Sequence, residues 1–270
     1  TYTHSLAEAG KSNGKLPRFS LNKLKFSKKI SENLAFYRAW RKMFKGDSFL
    51  FDYHLMWDHF KDVGHYGLAK VLHADIKVLG KLGLQGLNSV QLHRCFMPSG
   101  LLMAVMGRTL WNKNLSFEEI VDDHYKAAFG KDWRKVKRYT QELSELFDPP
   151  FLRKERSEAE LGETLKKLAK IPALIHRFGP VIKSNLGSKS KCQARSWFYL
   201  REHAEICLAM AKAVEAMARQ DRVACQQFAE QLIALVRRKE PRIHRVFDVR
   251  TFVWAWEDKD SHSPHSCRQV

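Results

Sequence analysis

The sequence predicts an α/β unit followed by an all-α bundle, on two observations. Up to about residue 112, short apolar runs alternate with helical stripes. Alternation of this kind implies parallel strands with helices packed outside them. From Ser116 onward only helical periodicity remains, so the change of class falls just after Trp111-Asn112.

Taken in order, residues 2–6 alternate weakly, as the end of a strand would. A basic loop broken by Gly10, Gly14 and Pro17 then runs to about Lys29. Ser31 is placed to cap a helix carrying Leu34, Tyr37, Trp40 and Phe44 at helical spacing. Residues 48–54 (SFLFDYH) read as a short buried strand on which Asp52 and His54 share a side with Leu50. Leu68, Val71, Leu72, Ile76, Leu79 and Leu82 form one helical stripe, closed by Gly83 at the C-cap position. Leu84 to Leu92 reads as the next strand, His93 to Pro98 as its loop and Leu101 to Leu110 as a helix. Three units cannot close a barrel, so residues 1–112 are expected to be the tail of a larger α/β domain, and the Thr1 start an N-terminal truncation.

The helical region divides at turn signals. Helices are expected up to Gly130, from Trp133 to Phe147, and from Ser157 towards Phe178 with a kink at Pro172 and a break at Gly179-Pro180. Two longer ones follow, Ser190 to Ala218 and Arg222 to Lys239. Ser116 with Glu119 and Ser157 with Glu160 are capping boxes, and Asp221 is a further cap. Leu143, Leu165, Trp197 and Phe228 lie on the apolar stripes and are expected to be buried. Residues 241–256 are apolar enough to pack back onto the chain. The expected units are therefore 1–112, a helical domain over 113–250 and a tail over 251–270.

Composition narrows the function. No apolar run approaches the ~20 residues of a membrane-spanning helix, so no membrane partner is expected. A cytoplasmic location is favoured over a secreted one. Five scattered cysteines do not make a disulfide framework, and no paired spacing suggests zinc. The net charge of +18 attracts polyanions, and eleven basic residues stand against one acid, Glu32, between Lys11 and Lys45. No nucleic-acid motif accompanies them, so nucleic acid ranks below other partners. Gly-rich nucleotide loops and serine-hydrolase elbows are absent, and no cofactor is expected. His54, Asp58, His59 and His65 are metal-ligand types at no familiar spacing, so no metal is expected either.

Three stretches carry a family resemblance: FDYHLMWDH, then HADIKVLGKLGLQGLNSVQLHRCFMPSGL, then VMGRTLWNKNLSFEEIVDDHYKAAFG. In this order they resemble an uncharacterised bacterial domain-of-unknown-function family grouped with TIM-barrel glycoside hydrolases and similar in layout to alpha-glucuronidases. The resemblance implies that residues 1–112 are the last β/α units of a (β/α)8 barrel, followed by a helical domain. In such a barrel the site lies at the C-terminal strand ends. That puts Asp52, His54 and Asp58 forward as catalytic groups, since a glycosidase needs two carboxylates. His4, Trp57, His59, Gln91, His93, Arg94 and Trp111 are the candidate substrate-binding residues. Arg94 suits a uronate carboxylate, and the two tryptophans suit stacking on a sugar face.

Three functions compete: a glycoside-hydrolase-like enzyme acting on an acidic oligo- or polysaccharide, a non-catalytic glycan-binding or scaffolding module, and a polyanion binder using residues 11–45. A structural Asp52–His54 hydrogen bond is the plain alternative to catalysis at that pair.

Overall fold

The computed structural model describes residues 29–56 and 58–257, together with Leu6, Leu16 and Leu21. The first helix, α1 (Ile30–Met43), starts without a side-chain cap, so Ser31 lies inside it rather than before it. A short strand β1 (Phe49–Asp52) leads through a single 3-10 turn at Asp58–Phe60 to helix α2 (Tyr66–Leu82). Gly83 ends α2 with φ +79°, a left-handed value that glycine adopts without Cβ strain. Strand β2 (Gly86–Ser89) follows, and helix α3 (Leu101–Trp111) closes this part.

The two strands are parallel, as the strand–helix–strand pattern predicts, with Leu50 opposite Leu87 and Asp52 opposite Ser89. Among the described residues they pair only with each other. The (β/α)8 barrel tail implied by the resemblance is therefore not the architecture: about 71% of the chain is helical and two short strands are its whole sheet among the described residues. Two physical reasons explain the difference. Parallel strands inside a barrel are buried on both faces, whereas Phe49 is 64% and Phe51 47% exposed. After Asp52 the chain also turns at once, Met56 N–H donating to the Tyr53 carbonyl, so the run of 48–54 yields four strand residues. Of residues 2–6 only Leu6 is described, and it is helical, packed against Leu34, Leu79 and Leu84.

Helices α4 (Phe117–Phe129), α5 (Trp133–Leu146), α6 (Pro149–Leu152), α7 (Leu161–Leu168), α8 (Ile171–Asn185), α9 (Lys191–Ala218), α10 (Arg222–Ile243) and α11 (Val249–Trp256) follow among the described residues. Both expected capping boxes are present, and Asp221 caps α10. The stretch expected as one kinked helix from Ser157 is two, because Pro172 sits in the first turn of α8, where its missing N–H is no loss. Gly179-Pro180 continues α8 rather than breaking it.

The 28-residue α9 spans about 42 Å at 1.5 Å per residue and packs against α4, α7, α8 and α10. One buried cluster runs from Leu55 to Trp256, crossing the boundary at 112. Leu143 and Trp197 are fully buried, and Leu165 and Phe228 pack partly buried against the same cluster. The 241–256 segment does fold back: Met97 N–H donates to the Val246 carbonyl, and Phe247 bridges to Cys95. Cys225 is disulfide-bonded, while Cys95, Cys192 and Cys207 are free.

The loop before α2 presses directly onto α5. Tyr66 N–H donates to Ser144 Oγ at 2.9 Å, and a Cβ on Gly64 would collide with the Thr140 carbonyl and come within 2.6 Å of the Ser144 backbone nitrogen. Backbone cannot yield as a side chain does. Gly64→Ala is therefore expected to lower stability by about 3 kcal/mol or more, seen as a fall in the urea midpoint at unchanged m-value. An unchanged midpoint would show that the loop does not seat on α5.

Candidate functional site

The strand register builds the first part of the site. Because Asp52 and Ser89 are partners on the inward face, Ser89 Oγ donates to Asp52 Oδ2 at 2.8 Å. His54, just past the strand end, turns back so that Nδ1 meets Asp52 Oδ1, and its Nε2 lies 3.3 Å from Asp75 Oδ2 on α2. All three groups are buried, at 1% exposure for Asp52, 2% for His54 and 3% for Asp75. Burial works against charge on the imidazole, but hydrogen bonds and charge from Asp52 and Asp75 outweigh it and raise its pKa to about 9. Burial likewise works against ionising Asp52, and His54 and Ser89 outweigh it and hold the carboxyl below its usual range. At neutral pH this is a protonated imidazole held by Asp52 and Asp75.

Asp58 stands apart from that cluster. It opens the 3-10 turn, is 3% exposed, and neither carboxylate oxygen accepts a hydrogen bond. Its nearest cation is Lys61 Nζ, a loose 3.8 Å from Oδ1. Asp58 lines a cavity of about 220 Å³ together with Asp62, Gly67, Val71, Pro149 and Arg153. Asp62 is fully used: Oδ1 accepts from the His65 N–H and Oδ2 from the Leu68 N–H at 2.6 Å, so it caps α2. The far wall is held by Asp148, which has a left-handed φ of +47° and no exposure. It accepts two hydrogen bonds from Arg156, one from Lys167 at 2.7 Å and one from Thr164 at 2.5 Å. Burial opposes its charge, and these donors overcome it and hold its pKa at about 2. Pro149 and Pro150, directly after it, start α6 and carry Arg153 to the cavity.

His59 faces a third environment. With His65, His203 and Cys207 it borders a separate, smaller cavity of about 30 Å³, room for a water or two. His65 Nε2 donates to the His59 carbonyl at 3.0 Å, whereas both His59 ring nitrogens and His65 Nδ1 lack a partner. Burial pushes the His59 pKa well below its ordinary value, the His65 pKa to about 4 and the His203 pKa to about 3. Among the described residues no group of three or more His, Cys, Asp or Glu is disposed to hold a metal ion.

The other candidates do not join these groups. Gln91, His93 and Arg94 are exposed after β2, with Gln91 Nε2 3.5 Å from Met106 Sδ and the His93 N–H directed to Asp248. Trp111 is 92% exposed at the end of α3. His4 and Trp57 lie outside the described residues. Asp52, His54, Asp58, Gln91 and Arg94 thus do not converge on one concavity: the first two are sealed in a charge cluster, the third lines a cavity and the last two point to solvent.

Sequence reasoning passed over Asp75, although the signal was present. Leu68, Leu72, Asp75 and Leu79 keep helical spacing, so a carboxylate sits on the stripe that faces the core. It also passed over Ser89, Asp62 and Arg153. No family model, no curated protein and no solved structure matches this chain.

The histidines give stability two opposed pH arms. His54 has a folded pKa of about 9 against the ordinary 6.5. Its stabilisation is fully present below pH 6.5 and is lost as pH rises towards 9. His65 at about 4 and His203 at about 3 are depressed instead, so stability falls as pH drops below 6.5 towards those values. Urea unfolding across the range should peak in the neutral region. His54→Gln should flatten the alkaline arm, worth up to about 3 kcal/mol, and leave the His65 and His203 part of the acid arm in place. An alkaline slope that survives the substitution would rule out the His54 assignment.

Proposed function

We propose that this protein is saccharide-directed and that it binds a single sugar unit in the cavity between the start of α2 and the start of α6, with Asp58 as the ligand-facing group. The observation that carries this reading is the Asp58 carboxylate: it is buried, has no hydrogen bond from the protein, and borders a cavity of about 220 Å³. A buried carboxylate without donors is costly, and sugar hydroxyls are donors of the right kind. The cavity is smaller than the roughly 300–1,000 Å³ of ordinary ligand pockets, which suits one pyranose rather than a chain. Arg153 on its wall is a partner for a uronate carboxylate. The motif resemblance to proteins grouped with glycoside hydrolases supports the substrate class.

Binding is better supported than hydrolysis. A glycosidase needs two working carboxylates, and the other candidate acids are committed elsewhere. Asp52 is bound to His54 and Ser89, and Asp62 to two backbone N–H groups.

Titration calorimetry against glucuronate, galacturonate and their neutral parent sugars tests the proposal. Wild type should bind at least one, with the uronate preferred. Asp58→Asn should weaken binding at least tenfold with an unchanged circular dichroism spectrum, and Arg153→Ala should erase the preference for the uronate. No binding by any of these sugars, or equal binding by Asp58→Asn, would sink the reading. Turnover of an aryl uronide that disappears in Asp58→Asn would move the assignment from binder to hydrolase.

A further inference from the structure

A second polar recess lies far along the sequence, on the first turns of α9. Its cavity of about 480 Å³ is lined by Leu186, Lys191, Ala194, Arg195, Phe198 and Arg201. Three guanidinium groups gather on the Phe198 ring: Arg201 at 5.0 Å, Arg242 from α10 at 5.3 Å and Arg195 at 5.8 Å from its centroid. Crowding like charges on one ring is unfavourable unless carboxylates answer them. The answer is only partial. Glu202, with no exposure, takes Arg201 at 2.8 Å, Arg242 at 2.7 Å and Lys239 at 2.7 Å, and Glu205 shares Lys239. Five cations, counting Lys191 and Arg195, thus face two carboxylates, which leaves three positive charges over. Neither Lys191 nor Arg195 forms an ion pair among the described residues, and both are exposed.

We infer that this recess is an oxyanion-binding site, in which Arg195 and Lys191 hold the anionic group of a small ligand over Phe198 while Arg201 and Arg242 are kept in place by Glu202. The division of labour follows from the pairing. Arg201 and Arg242 spend donors on a buried carboxylate, so they are fixed and lend field, whereas Arg195 keeps its whole fork for a ligand. Cation–π contact with Phe198 and Tyr199, the latter at 5.8 Å, orients the Arg195 guanidinium before anything binds. The first turn of the capped 28-residue α9 adds the positive end of its dipole to the same recess. Phosphate and carboxylate both meet this chemistry. The inference stands independently of the sugar reading at Asp58.

The probes are tripolyphosphate and trigalacturonate, titrated calorimetrically into the whole protein at near-physiological ionic strength. At least one should bind. Arg195→Ala should weaken that binding at least tenfold, and Arg195→Lys, which keeps the charge without the fork, should recover only part of it. A phosphate-bearing natural ligand follows if only tripolyphosphate binds, and a carboxylate-bearing one if only trigalacturonate does. Arg195 is solvent-facing, so an unchanged circular dichroism spectrum is expected for both of its variants. The inference is overturned if neither probe binds at that ionic strength, or if Arg195→Ala binds within twofold of wild type. It is equally overturned if Lys126→Ala on α4, or Asp58→Asn, weakens binding as much as Arg195→Ala does.

Discussion

Everything around the site depends on how one imidazolium is buried. Removing a charge from water costs several kcal/mol, and His54 is sealed at 2% exposure. Two carboxylates and a hydroxyl from three different elements make that tolerable: Asp52 from β1, Asp75 from α2 and Ser89 from β2. The pairing of two four-residue strands is thereby tied to the helix between them, which backbone hydrogen bonds alone would not do for so short a sheet. It also fixes where the chain leaves β1, and so where the Asp58–Phe60 turn begins.

Asp58 then differs from the other buried acids in what surrounds it. Asp148 accepts four hydrogen bonds from Arg156, Lys167 and Thr164, and Asp62 accepts from two backbone N–H groups. Asp58 has an amine at 3.8 Å and a cavity. The contrast between satisfied and unsatisfied carboxylates, rather than any single acid, is what directs attention to that cavity. The same logic applies in the opposite sign at α9, where Glu202 is shared by three cations and Lys191 and Arg195 are left without an ion pair among the described residues.

Local signals in the sequence translated well, and long-range ones did not. The Ser116–Glu119 and Ser157–Glu160 boxes, the Gly83 cap, the α2 stripe and the parallel strand pair each depend on neighbours in the chain, and periodicity reads neighbours. The barrel expectation depended on what lies beside the strands, and the exposed Phe49 and Phe51 decide that only in three dimensions. At the site, the Asp52–His54 contact was legible because the two are two residues apart. The meeting of Asp58 with Arg153 was not, since it joins segments nearly a hundred residues apart, and the role of Arg153 is set by an Asp148 anchor that no spacing rule announces.

The Asp52–His54–Asp75 cluster has one further consequence, in proton accounting. Above neutrality an unfolded chain leaves its imidazoles largely unprotonated, whereas the folded chain keeps a proton on His54 up to a pKa of about 9. Folding in mildly alkaline solution is therefore coupled to uptake of a proton from the buffer. The heat of folding then includes the buffer's own ionisation, so two buffers at one pH give different enthalpies for the same structural change.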